Sequence, residues 1–215
     1  MRGITLFFLI LFILVIISVF NINRLFFLPR GEVMEGVSIG PNVSVVATDL
    51  QIPWEIIFLP ESHDNEILVS ERPGKIIRFD NNWQRLGAIS IIDVSHAGEG
   101  GLLGMVLHPN FEKNNWIYIY ITSKKNDTSI NRIERYVYHK GSLKDKKIII
   151  SDIPGATYHD GGRMIFGPDN LLYISTGDAR NPESAQDINS LSGKILRLND
   201  QGGIPDDNPF GNEIF

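Results

Sequence analysis

The sequence predicts an all-β protein built from repeated units of about four strands. From Val43 onward the apolar runs are short and often alternating or β-branched, and no long run of helical period interrupts them. Glycine (20) and proline (11) punctuate these runs every few positions. Three segments then share one pattern: 58–80, 106–123 with 131–136, and 165–178 with 192–200. Each opens on an apolar stretch and a proline (Pro60, Pro109, Pro168), turns through polar residues, and continues into a strand and a later strand bearing a basic side chain. The prolines lie 49 and 59 residues apart. A period of that size reads as the four-stranded blades of a β-propeller.

The elements follow in chain order. Residues 4–20, ITLFFLILFILVIISVF, carry no charge and follow Arg2. Such a run is too apolar on every face for a half-buried globular helix and fits an export signal or a short membrane span. The exit, SVFNINRLFF, has bulky residues where a cleavage site needs small ones. An uncleaved anchor is therefore favoured over a cleaved signal, with residues 1–22 as a hydrophobic helix and 23–42 as a linker. Arg2 on one side and Arg24 and Arg30 on the other leave orientation open on charge alone. The body is 43–215. Its candidate strands are 43–48, 54–59, 67–71, 75–79, 88–94, 103–107, 116–122, 132–138, 148–150, 164–166, 172–176 and 194–198. The echo of Gly74–Arg78 in Gly193–Arg197, both Gly-Lys-Ile-x-Arg, is a tight turn leading into an alternating strand. The body supplies about three blades, whereas a closed propeller needs at least four. A fragment of a longer reading frame is the expectation.

Charge and composition exclude several functions. Residues 31–215 hold 17 basic and 25 acidic side chains, and no basic stripe interleaved with aromatics offsets that balance, so nucleic-acid binding is not expected. Without cysteine there is no disulfide framework, thiol nucleophile or thiolate metal site. No phosphate loop, dinucleotide fingerprint in a strand–helix context or serine-hydrolase elbow occurs. The acidic tail 199–210 lacks EF-hand spacing and reads as a turn.

Of the five histidines, His63, His96, His108 and His139 read as surface or structural residues. His159 differs. Gly161 and Gly162 follow it, where backbone could approach a ligand closely, then Arg163, a strand, a Gly-Pro-Asp turn and a second strand ending at Gly177-Asp178. A hairpin there could return Asp178 to His159. A carboxylate on one ring nitrogen fixes the tautomer and leaves the other nitrogen as a base. The plainer alternative is a turn histidine with a strand-end aspartate capping backbone amides. Glu99, set among Gly98, Gly100 and Gly101, either points into a cleft or rides on a flexible exposed loop.

Taken in order, IPWEIIFLP (52–60), ILVSERPGKIIRF (67–79), EGGLLGMVLHPNF (99–111), NWIYIYIT (115–122), HDGGRMIFGPDNLLYISTGDA (159–179) and AQDINSLSGKILRLNDQGGIPDDNPF (185–210) resemble the glucose/sorbosone dehydrogenase family. The resemblance implies a six-bladed β-propeller of the quinoprotein glucose dehydrogenase type, of which about the first three blades are here. It implies oxidation of an aldose at the anomeric carbon to the lactone, with pyrroloquinoline quinone (PQQ) as hydride acceptor and calcium polarising the quinone. It makes His159 the base and Asp178 the acid that orients it. It puts Glu99, at a position that is glutamine in the glucose dehydrogenases, and Arg163 beside substrate and quinone. It implies no metal ligand within this segment. It also places the body outside the cytoplasm; that the body is held to the membrane rests on the N-terminal run of this sequence, not on the resemblance, and the electron acceptor is open. The family's Gly-His-Arg-Asn-type segment and later blades do not follow NPF, so the 215-residue form is expected to be inactive alone. Two alternatives remain: a non-catalytic propeller binding sugar or a protein partner, and a propeller hydrolase with a metal in its channel.

Overall fold

Strand β6 (Trp116–Lys125) is the centre of the molecule, and its sequence says why. Five consecutive residues, Ile117 to Ile121, are completely buried. A strand with no polar alternation over that length must be covered on both faces. In the computed structural model, which describes residues 43–211, it is. Ile117, Ile119 and Ile121 pack with Leu68, Ile76, Leu102 and Met105 in one core cluster. Tyr118 and Tyr120 turn the other way, into a second cluster with Met164, Leu172, Ile174 and Leu196.

Three antiparallel sheets generate these two cores. The first has the order β1 (Pro53–Phe58), β2 (Ile67–Glu71), β3 (Lys75–Phe79), β4 (Arg85–Ser90). The second runs β5 (Leu102–Leu107), β6, β7 (Thr128–His139), β8 (Ser142–Pro154). The third has three strands, β9 (Gly161–Phe166), β10 (Leu172–Thr176) and β11 (Ile195–Leu198). The first strands of the three sheets are neighbours, β1 against β5 and β5 against β9. Sheets of sequential strands joined through their first strands are blades of a β-propeller.

The strand order agrees with the expected repeat, and each of the three prolines follows the first strand of its sheet. Several boundaries differ. Residues 43–48 form no strand. The fourth strand of the first sheet is Arg85–Ser90, not 88–94; it begins earlier because a bulge carries the pairing with β3 on to Arg85 opposite Phe79. Strands β6 and β7 extend as a hairpin to Lys125 and Thr128, closed by Asn126 and Asp127 at positive φ. Strand β8 covers Ser142–Pro154, far beyond 148–150. One short helix, α1 (Phe111–Asn114), fills the β5–β6 connection. The apolar run expected as a helix, with its linker, lies outside the described residues. Among those described, no helix is long and apolar enough to cross a membrane.

Candidate active site

The loops that enter β5 and β9 meet at one end of the sheets. The turn after β2 and the segment after β10 arrive at the same end. Each loop is locked by its neighbour. Arg72, in the β2–β3 turn, donates to the carbonyls of Gly98 and Gly100, the latter at 3.1 Å. Glu99 N–H donates to Thr157 O at 2.7 Å. The glycines serve this packing. A Cβ on Gly98 would lie 1.9 Å from Thr157 O, and one on Gly101 2.3 Å from Arg72 O. The loop holding Glu99 is therefore a fitted part rather than a flexible one. Gly161 and Gly162 also differ from expectation. Their missing side chains make room for the backbone around Gly177 and for Leu103, not for a ligand.

His159 sits where these loops converge, in the left-handed region at φ +67°. A non-glycine residue there needs outside support. Its N–H donates to Glu99 Oε2 at 2.7 Å, and its carbonyl accepts Ala179 N–H at 3.2 Å. Its Nδ1 lies 2.8 Å from Asp178 Oδ1. The β9–β10 hairpin sets that distance by pairing Gly161 with Thr176, two residues from each partner. Asp178 Oδ1 also accepts Arg180 N–H at 2.9 Å. The bond from His159 holds the Asp178 carboxyl below the usual carboxylate range, helped by the Arg180 amide and opposed by partial burial. An ionised Asp178 accepts a proton from Nδ1–H, which leaves Nε2 as the basic nitrogen. Nε2 has no partner among the described residues, and the side chain is 58% exposed.

Glu99 thus reaches His159 through the histidine's backbone, not its ring. Arg163 makes its polar contacts elsewhere. Its Nη1 lies 2.5 Å from Glu55 Oε2, and its guanidinium stands over Trp54 at 4.8 Å. The remaining histidines are structural or peripheral. His108 is buried among Trp116, Tyr118 and Phe166. Its Nδ1 accepts Asn110 N–H at 3.0 Å, and burial pushes its pKa down. His63 packs on Phe111. His96 and His139 are exposed. The tail 199–210 is a set of turns tied back by Arg197, which bonds Asp207 and Asn208. Among the described residues no three His, Asp or Glu side chains converge as a metal site.

Sequence reasoning passes over Arg72, Asn131 and Asp160, the residues that support the site from behind. Adjacency to His159 marked Asp160 and the following Pro-Gly turn marked Arg72, while nothing in the sequence marked Asn131.

Comparison with known proteins bears on the family and the fold. The model of the glucose / sorbosone dehydrogenase family matches residues 50–214. Aldose sugar dehydrogenase YliI of Escherichia coli is 33% identical over 179 residues, covering 79% of this chain and 47% of its own length. Quinoprotein glucose dehydrogenase B of Acinetobacter calcoaceticus is 33% identical over 202 residues, covering 79% and 41%. The PQQ-bound form of the aldose sugar dehydrogenase from Streptomyces coelicolor superposes with a TM-score of 0.73 at 36% identity, covering 80% of this chain and 52% of that one. The chain spans about half the length of the curated relatives it matches. With the blade order and a family match over nearly the whole body, the chain belongs to the glucose/sorbosone dehydrogenase family.

Proposed function

We propose that this chain is the part of a quinoprotein sugar dehydrogenase that carries the catalytic base. The observation that carries the reading is the His159–Asp178 pair, with Nδ1 bonded to a carboxylate and Nε2 exposed and unpartnered. An aldose presents a C1–H and an anomeric O–H. Oxidation to the lactone removes a hydride from C1 and a proton from oxygen, and the C–O bond becomes a carbonyl. His159 Nε2 takes that proton. Asp178 stabilises the imidazolium that results, because its carboxylate already faces Nδ1. Glu99 holds the His159 backbone and so sets the height of the ring above the loops.

The described residues fit the reacting edge of a hydride-accepting group, since an exposed, oriented imidazole nitrogen is the proton acceptor such chemistry requires. PQQ, when bound, supplies the hydride acceptor. Of the described arginines at this end, Arg72 is engaged with loop carbonyls and Arg163 with Glu55, while the exposed Arg180 guanidinium stands over Tyr158 at 6.0 Å. The cations that would hold the cofactor's carboxylates, and the ligands for calcium, are assigned to none of them. We further propose that the N-terminal apolar run tethers the body on the outer side of the membrane.

The test uses the protein isolated from its source, supplied with PQQ and calcium. It should reduce an artificial electron acceptor when given an aldose. His159→Ala should lower kcat by about 10²–10⁴-fold, the usual worth of a general base. Undiminished dye reduction by His159→Ala would sink the reading.

A further inference from the structure

Directly behind His159, away from solvent, stands a carboxyl group that the chemistry above does not use. Asp160 is 1% exposed. Its Oδ1 accepts two hydrogen bonds, from Asn131 Nδ2 at 3.0 Å and from Ala156 N–H at 3.1 Å. Its Oδ2 is buried and has no partner among the described residues. Its backbone carbonyl accepts the Tyr120 hydroxyl at 2.8 Å.

The partners come from the two longest-buried strands of the molecule. Tyr120 and Thr122 are on β6 and Asn131 is on β7. Asn131 accepts the Thr122 hydroxyl at 2.8 Å and donates to Pro154 O at 3.2 Å as well as to Asp160. The connection from β8 to β9 is thus fastened at Pro154, Ala156 and Asp160. Its last residue before Asp160 is His159. Gly155 allows the fit, because a Cβ there would stand 3.2 Å from both Asn131 Nδ2 and Asp160 Oδ1. Such a network rigidifies what it holds only when its members stay bonded.

We propose that Asp160 is a positioning residue for the neighbouring imidazole: its carboxyl fastens the 154–160 loop to β7 and so fixes the direction in which the His159 ring stands. The proposal rests on the reading of His159 as the base. Glu99, Ala179 and Asp178 hold His159 itself, and the Asp160 carboxyl holds the loop behind it. His159 is in a left-handed conformation that its own side chain does not favour, and its outward half is exposed. Released from Asp160, the loop would relax toward an ordinary backbone conformation, and Nδ1 would swing away from Asp178. The state of the carboxyl suits an anchor. Burial pushes its pKa up, the bonds from Asn131 and Ala156 oppose that, nearby Glu99 adds to the rise and Arg72 reduces it.

The test reads the His159 ring directly rather than turnover. The full chain is labelled with ¹⁵N-histidine, and the ring nitrogen shifts report which nitrogen holds the proton. Wild type should show one fixed tautomer. Asp160→Asn, which keeps the Oδ1 acceptor, should keep the wild-type pattern. Asp160→Ala should move the His159 signals to those of a ring exchanging between tautomers, as Asp178→Asn should. Wild-type shifts in folded Asp160→Ala overturn the proposal, and so does an Asn variant as disturbed as the Ala variant. Should Asp160→Ala fail to fold, Asn131→Ala removes the same fastening from the β7 side. A shift toward the exchanging pattern supports the proposal, and wild-type shifts there overturn it. Loss of turnover plays no part in these readouts, so the proposal and the assignment of His159 as base fail separately.

Discussion

His159 is held at three points, and each tie uses a different chemical group. Glu99 takes its N–H, Ala179 gives to its carbonyl, and Asp178 faces Nδ1. Only the last was legible in the sequence, because a His and an Asp at the two ends of a hairpin are a recognisable spacing. The role of Glu99 was legible as proximity but not as a backbone tie, since spacing does not say which atom of a partner is reached. Asp160 was invisible for a related reason: a buried and an exposed aspartate look alike until β6 and β7 are placed behind it. The Asp178 bond has a consequence for stability. The folded pKa lies below the unfolded one, so the unfolded chain binds the proton first on acidification. The contribution is fully present above the ordinary aspartate range near 4 and is lost as pH falls through the folded value. Asp178→Asn should therefore flatten the acid limb of stability between those two values. Urea unfolding at a series of pH values measures it, and parallel acid limbs for wild type and variant would contradict the pairing.

At the scale of elements, the strands with apolar alternation or continuous apolar runs were readable, and those with polar ends were not. Strands β2, β3 and β10 fall where periodicity puts them. Strand β8 does not, because most of SLKDKKIIISDIP is charged or polar and only its pairing with β7 makes it a strand. The candidate strand at 43–48 is the converse case, an apolar run with no partner strand among the described residues. Loop glycines were readable as special positions but not for the right reason. They admit neighbouring backbone rather than ligand, and Gly98 is the clearest instance. It combines φ +56° with a Cβ position occupied by Thr157 O and its carbon. Gly98→Ala forces the Glu99 loop off the 154–160 loop and strains the backbone as well. The expected loss is about 1–3 kcal/mol of stability. The midpoint of urea unfolding should fall accordingly. Amide exchange at Glu99, whose N–H bonds Thr157 O, should accelerate in the same variant. An unchanged midpoint and exchange rate would mean that the two loops are not mutually locked.

The second and third sheets differ in how the described residues cover them. The second sheet is covered on both faces, which explains why β6 reads as one apolar run. The third sheet is covered on one. Its inner face gives Met164, Leu172, Ile174, Leu196 and Leu198 to the core. Its outer face carries Arg163, Ile165, Tyr173, Ser175, Ile195 and Arg197, by register across β9, β10 and β11. Ile165 is 62% exposed and Ile195 60%. Arg197 and its partners Asp169 and Asp207 shield only part of that face. Among the described residues β11 pairs with β10 alone, so one edge of this sheet is open as well. Two exposed isoleucines on a sheet face are a contact surface. Burying both would yield about 3–6 kcal/mol. That is comparable with the roughly 4–15 kcal/mol lost when two bodies associate. The balance predicts weak self-association of a polypeptide limited to these 215 residues, visible only at high concentration and little affected by salt. Sedimentation velocity over a concentration series should show the rise in mean mass. In the double variant Ile165→Lys with Ile195→Lys, two charges must be buried to make the same contact, and the part of the rise due to this face should disappear. If the double variant associates to the same extent as wild type, the contact lies on another surface, and the outer face of the third sheet is not sticky despite its exposed isoleucines.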